Sequence, residues 1–192
     1  MELLELMKTR RSIRKFTSEQ ITETDLNKII EAGLNSPNAG GRQGTFIVGI
    51  HNKEMTTRIG KLNLCKFSRK RLEGSYVSGN QPSVIDDPTI KNGFYDAPCV
   101  CVIFGPKHFL FSIPDCFCSA TQMTLEAHEL GIASCIISRG EETFDNIEGQ
   151  ELLQQWNVPP TYIARAFVIL GYVSGDYPGV KKIKDHRSLI VK

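Results

Sequence analysis

Apolar residues recur along this chain in two rhythms. Leu26, Ile29, Ile30 and Leu34 fall three or four residues apart, the spacing of a helix with one apolar face. Thr22-Glu23-Thr24-Asp25 precedes them as a capping motif with Asp in the usual Glu or Gln place. Ser36-Pro37 ends the run, because the residue before proline is pushed out of helical geometry. Leu3, Leu4, Leu6 and Met7 predict a short opening helix, and residues 53–64 another. Asp115 is the expected N-cap of a helix reaching Glu129, with Gly131 as its stop. A last helix is expected over 148–156, closed by Pro159-Pro160. Continuous or alternating apolar runs predict strands at 46–50, 97–104, 133–138 and 162–173. Between them, residues 65–95 lack periodicity and read as a long excursion, a possible mobile lid. The pattern shows no repeat and no boundary, so residues 1–192 form one expected domain.

Composition narrows the class. A chain of 192 residues with 41% hydrophobic and 23% charged residues suits a single soluble domain with a sizeable core. Lys and Arg number 23 against 21 Asp and Glu, and a net charge of +2 argues against a nucleic-acid partner. Local basicity remains at 66–71 and 181–184. The longest apolar stretch, 97–105, is far shorter than the ~20 residues of a membrane span. The first residues lack the basic and apolar regions of a signal peptide, so no membrane association and a cytoplasmic location are expected.

Six cysteines stand at 65, 99, 101, 116, 118 and 135. Structural zinc uses C-x₂₋₄-C pairs in turns. Cys99 and Cys101 instead share one face of a predicted strand, and Cys116 and Cys118 diverge by about 200° around a predicted helix. Free, mostly buried thiols and no metal site are the expectation.

The densest chemistry is Arg10-Arg11-Ser12-Ile13-Arg14. Three guanidinium groups and a hydroxyl within five residues suit a phosphate, a carboxylate or a nucleic-acid backbone, through paired and charge-assisted N–H donors. A solvated basic surface has the same composition. A second segment, Asn38-Ala39-Gly40-Gly41-Arg42-Gln43-Gly44, is small and polar, and such a loop lets main chain approach a ligand or simply turns.

These segments resemble the flavin-dependent nitroreductase family. Arg10-Arg11-Ser12-Ile13-Arg14-Lys15-Phe16 is similar to its R-R-S-x-R-x-F. Ser36-Pro37-Asn38-Ala39-Gly40-Gly41-Arg42-Gln43 is similar to its S-P-S-x-x-N-x-Q-P-W loop. The run from Leu125 to Ile137 is similar to its helix–glycine–strand segment, and Arg187 to its C-terminal basic residue. The resemblance implies an α+β fold, a mixed central sheet flanked by helices in an intertwined homodimer. It implies FMN as cofactor, with Arg10, Ser12 and Arg187 at the phosphate and Arg11 beside them. Arg14 would stand at the pyrimidine edge of the ring, where charge tunes flavin chemistry. Asn38, Ala39, Gly41 and Gln43 would approach the flavin from the partner subunit. Ile136, Ile137, Ser138 and Arg139 would pass behind the ring, a main-chain N–H near Ser138 or Arg139 facing N5. NADH or NADPH would supply hydride through N5 to a small-molecule acceptor, a nitroaromatic or quinone, in ping-pong order.

The chain departs from the family in its loop. Gly41 stands for the usual Asn, Gly44-Thr45 for Pro-Trp, and the segment before Phe46 is one residue short. Three other readings therefore stay open: a flavin-binding or sensing protein with little turnover, a dehalogenating or flavin-fragmenting enzyme on the same scaffold, and a nucleic-acid module using the basic runs.

Overall fold

The structure, a computed structural model, describes residues 2–65, 67 and 81–192. Nine regular elements follow in chain order: α1 (Leu3–Thr9), α2 (Glu23–Leu34), β1 (Phe46–Ile50), α3 (Lys53–Cys65), β2 (Cys99–Pro106), α4 (Ser112–Glu129), β3 (Ala133–Ile137), α5 (Ile147–Gln155) and β4 (Tyr162–Gly171). Every predicted helix and strand is present, most bounds within two residues. The four strands form one sheet in the order β1-β2-β4-β3.

All named strand pairs are antiparallel. Of the expected mixed sheet, the parallel component among the described residues is a single bridge, Ser12 to Ser134, at the outer edge of β3; the same segment then pairs antiparallel, Phe16 with Val173.

Both faces of the sheet are covered, which explains the unbroken apolar run of β2. Cys99, Cys101 and Ile103 pack with Leu26 and Ile29 of α2 and Cys116, Ala120 and Met123 of α4. Val100, Val102 and Phe104 face the other way, toward Ile59 of α3, Phe144 and Leu152 of α5. Burial of the central strands removes thiols from water and holds them protonated, with Cys99 pushed up to about 12. Cys65 and Cys118 are exposed, the other four cysteines buried, and all six are free. Among the described residues, no three His, Cys, Asp or Glu side chains converge on a common point for a metal. No described helix is long and apolar enough to cross a membrane.

Two local devices set the layers. The register of β2 against β4 shifts between Ile103 and Phe104, whose partners are Ala166 and Ala164. Arg165 is thus the extra residue of a β-bulge, which re-aims its side chain. That guanidinium donates to Ser112 Oγ (3.0 Å) and the Lys107 carbonyl (3.1 Å) and pairs with Glu141. At the end of α4, Gly131 adopts φ +73° and donates to the His128 carbonyl, while Ile132 donates to that of Ala127. This is the double bond of a Schellman stop, which favours glycine.

The start of α4 corrects the sequence reading. The helix begins at Ser112 with Phe111 in the cap position, so Asp115 lies inside the first turn. Pro114 causes the shift, because a proline in the first turn lacks only an N–H that has no helical partner anyway. The expected excursion over 65–95 falls partly outside the described residues. Its described part, from Gln81 onward, runs in turns that bury Ser83, Val84 and Phe94.

Candidate functional site

The arginine cluster lies where three parts of the chain meet. Ile13 is fully buried and its N–H donates to the Ser134 carbonyl at 2.9 Å, so the segment is sewn onto the edge of β3. Burial of Ile13 leaves Ser12 exposed and Arg14 half-exposed. A cavity of about 940 Å³ opens beside them, bounded by α1, by Arg10, Arg11, Ser12 and Arg14, by Gln81, and by the C-terminal stretch from Pro178 to Ile183. Its described lining holds five cations, Lys8, Arg10, Arg11, Arg14 and Lys181, and no carboxylate. Among the described residues, Lys8 alone of these forms an ion pair, with Glu5 at 2.6 Å. Such a wall favours an anion.

The three arginines have different tasks. Arg11 is committed to main chain: its guanidinium donates to the carbonyls of Lys8 (2.7 Å), Arg10 (2.6 Å) and Gly179 (2.9 Å), and its N–H to the Tyr177 hydroxyl (2.8 Å). It thereby straps the C-terminal stretch against the cavity. Arg14 donates its N–H to Gln81 Oε1 (2.7 Å) and holds its guanidinium 5.7 Å from the Tyr95 ring centre. Arg10 faces the cavity without a carboxylate partner among the described residues.

Below the cluster lies Cys135 of β3. Burial raises its thiol pKa, while Arg14 and the hydrogen bonds from Ser12 and Arg14 oppose the rise. Tyr95 sits between Arg14 and Arg139; burial raises its phenol pKa, against the Val84 N–H and Arg14. Tyr95 and Asp96 take φ of +53° and +58°, left-handed values uncommon outside glycine. Asn92 holds this bend, accepting from the Phe94 N–H at 2.8 Å and donating to Asp96 Oδ1 at 3.1 Å.

At the end of β3 the ladder stops at Ile137. Ser138 is exposed, and the N–H groups of Ser138 and Arg139 have no acceptor among the described residues. The Arg139 carbonyl accepts from Asn63 Nδ2 (2.7 Å) and Thr143 Oγ1 (3.0 Å), and Asn63 Oδ1 accepts from the Arg139 guanidinium (3.1 Å). That guanidinium lies 4.0 Å from the Phe67 ring centre. Burial lowers the Arg139 pKa, partly offset by Tyr95 and Glu142. Asn63 thus clamps the strand end while leaving its donors open.

The remaining expected residues lie apart from the cavity within one chain. Asn38, Ala39, Gly41 and Gln43 belong to a loop with a 3₁₀ turn at Ala39–Gly41, and none lines the cavity. Ile136 and Ile137 are strand residues, the first half-buried and the second buried. Arg187 is exposed and is not part of the cavity wall, where Lys181 stands instead. The sequence reading missed Gln81, Tyr95 and Asn63, which the turns from residue 81 onward and α3 bring to the cluster from far along the chain. The one usable signal was the basic run at 181–184.

Comparison with known proteins shows the family. The nitroreductase family model matches residues 7–172. A Methanothermobacter thermautotrophicus protein with the provisional name NADH dehydrogenase/NAD(P)H nitroreductase is 26% identical over 190 residues, 96% of this chain and 84% of that protein. The crystal structure of a Bacteroides fragilis nitroreductase with bound FMN is 29% identical, covers 100% of both chains and superposes with a TM-score of 0.80. A Desulfitobacterium hafniense nitroreductase with bound FMN shares the fold at 23% identity and a TM-score of 0.77, covering 100% of this chain and 99% of that one. The match spans both the arginine cluster and the open strand end, and the chain belongs to the nitroreductase family.

Proposed function

We propose that the protein is an FMN-dependent oxidoreductase that takes reducing equivalents from NADH or NADPH and passes them to a quinone or nitroaromatic acceptor. The observation that carries this reading is the cavity lined by Arg10, Ser12 and Arg14, with no carboxylate among its described lining residues, immediately after α1 and directly against β3. The donor set fits the group: a phosphate dianion needs charged donors without competing carboxylates, and a flat heteroaromatic ring needs donors at its edge. Bound FMN supplies a two-electron centre, with hydride accepted and released at N5.

The chain's own residues bind, orient and tune. Arg10 and Ser12 hold the phosphate, aided by a C-terminal cation, Arg187 or Lys181. Arg14, steadied by Gln81 and Tyr95, presents positive charge at the pyrimidine edge, which favours the reduced, anionic ring. The Ser138 and Arg139 N–H groups are held toward the ring by the Asn63 clamp. The 38–43 loop closes the site of the partner subunit, so the working unit is a homodimer. Donor and acceptor share one binding place, for which parallel lines in double-reciprocal plots are the kinetic sign.

The absorption spectrum of the purified protein tests the reading. Yellow protein that releases FMN, not FAD, on denaturation is expected, with bleaching on anaerobic addition of NADH or NADPH. Colourless protein that fails to quench FMN fluorescence overturns it. Gly41, with no side chain to offer the ring, favours one second reading, a flavin-binding protein with little turnover; failure of either nicotinamide to reduce bound FMN would select it.

A further inference from the structure

Asp115 has no part in the reaction proposed above, and its position asks for an explanation. It is 7% exposed, inside the first turn of α4 rather than at its cap. No cation pairs with it among the described residues. Its Oδ1 instead accepts the N–H of Ala39 at 3.0 Å, across to the loop that follows α2.

That contact is one of a stripe. One turn along α4, Ser119 Oγ donates to the Gly33 carbonyl at 2.9 Å, fully buried. A further turn on, Met123 presses on Gly33 so closely that a Cβ there would lie 2.7 Å from its Cγ. Positions 115, 119 and 123 share one helix face. That face grips the end of α2 at its last turn and the loop at its first residue.

The loop needs such a grip. Gly40, Gly41 and Gln43 take φ of +65°, +63° and +49°, and Asn38 Oδ1 accepts the Gln43 N–H at 2.9 Å. The two glycines take this geometry without strain, but Gln43 does not, and a non-glycine residue there persists only where its surroundings over-determine it. Arg42 stacks over Phe109 at 4.9 Å, fixing the far side of the loop. Asp115 fixes the near side, its Oδ1 accepting the Ala39 N–H.

We propose that Asp115 is a positioning residue for this loop: by holding the Ala39 N–H it sets the shape in which Asn38 to Gln43 meet the flavin ring, and so sets affinity for the ring and not for the phosphate. This rests on the flavin reading above. A competing structural role exists, since a carboxylate in a first turn also favours the helix dipole. The two roles separate because the dipole needs the charge, whereas the loop needs only an acceptor.

The test measures FMN and riboflavin dissociation constants, with thermal melts, for wild type, Asp115→Asn, Asp115→Ala, Ala39→Pro and the double variant Asp115→Ala/Ala39→Pro. Proline removes the N–H without touching α4; it suits the first position of the 3₁₀ turn, and Asn38 at φ −144°, ψ 155° suits the position before proline. Asp115→Asn is expected within threefold of wild type for both flavins. Asp115→Ala and Ala39→Pro are each expected to lose about tenfold for FMN and for riboflavin alike. The double variant is expected to be no weaker than the worse single one, because both remove the same bond. If Asp115→Ala does not fold, Ala39→Pro decides alone. Unchanged affinity in Ala39→Pro, or Asp115→Asn as weak as Asp115→Ala, overturns the proposal while the flavin reading stands. Wild type that binds neither flavin overturns both.

Discussion

Arg10 and His128 show how differently two residues of one neighbourhood respond to their surroundings. Arg10 faces the cavity, so Arg10→Ala is expected to weaken FMN binding by about 1.5–3 kcal/mol, the range for a bond to a charged group. Riboflavin, which has no phosphate, is expected to bind mutant and wild type equally, as fluorescence titration would show; equal loss for both flavins would remove Arg10 from the phosphate. His128 Nε2 lies 2.9 Å from the Thr9 hydroxyl, which also donates to the Glu5 carbonyl at 2.7 Å. Nδ1 lies 3.3 Å from the Tyr177 hydroxyl, whose ring stacks on the imidazole. Burial first, then Arg10 and Arg11, lower its pKa below the ordinary 6.5, against an opposing pull from Glu129. A base with a depressed folded pKa takes up more protons when unfolded. Stability from this site is therefore present at neutral pH and falls as pH drops below about 6.5. Melts at pH 7.5 and 5.5 are expected to differ less in His128→Gln than in wild type; an equal difference would show that His128 does not titrate in this window. At this scale the arginine cluster was legible because its residues are contiguous. Gln81, Tyr95 and Asn63 were not, since only the packing of chain segments distant in sequence gathers them.

Elements were more legible than the joints between them. Periodicity placed five helices and four strands because both sheet faces need apolar partners, and that demand is written in the spacing of side chains. The start of α4 misled because Asp after Pro resembles a cap, while the physics of a first turn tolerates the proline inside the helix. The bulge at Arg165 left no trace in the pattern, since one inserted residue only shifts the alternation. Its consequence is sharp at the joint between β3 and the following turn. Gly140 packs against β4 so tightly that an added Cβ would lie 2.7 Å from the Ala164 carbonyl oxygen and 2.8 Å from the Arg165 carbonyl carbon. These are backbone atoms in a central strand and cannot yield as a side chain would. Gly140→Ala is expected to cost at least about 1–3 kcal/mol, read by urea unfolding. It should also weaken the hold on Arg139 next to it. Gly41 is the opposite case: φ is +63° but no atom lies within 4 Å of an added Cβ. Asn tolerates left-handed geometry, so Gly41→Asn should leave the melting temperature nearly unchanged. The same substitution is expected to tighten FMN or shift its reduction potential, and no change in either would place the loop away from the ring.

The whole molecule keeps apart two features that the proposed site would join. The arginine cavity and the 38–43 loop share no lining residue, although the proposed chemistry needs both around one flavin. The apolar surface points the same way. Leu3 and Leu4 of α1 are 61% and 55% exposed beside the cavity, and Leu189, Ile190 and Val191 at the C-terminus are 86%, 83% and 84% exposed. Contiguous apolar groups left in water mark an interaction surface. In the proposed homodimer a second copy of the chain would cover them and bring a loop to each cavity by the symmetry of a twofold pair. Static light scattering is therefore expected to give about twice the 21.5 kDa chain mass. Leu189→Asp combined with Ile190→Asp would place charges in that proposed contact and should shift the protein toward monomer. A shared site predicts that flavin is lost in the same step. Full flavin occupancy in a monomeric variant, with scattering and absorbance read on the same eluting peak, would show that one chain suffices and would overturn the shared site.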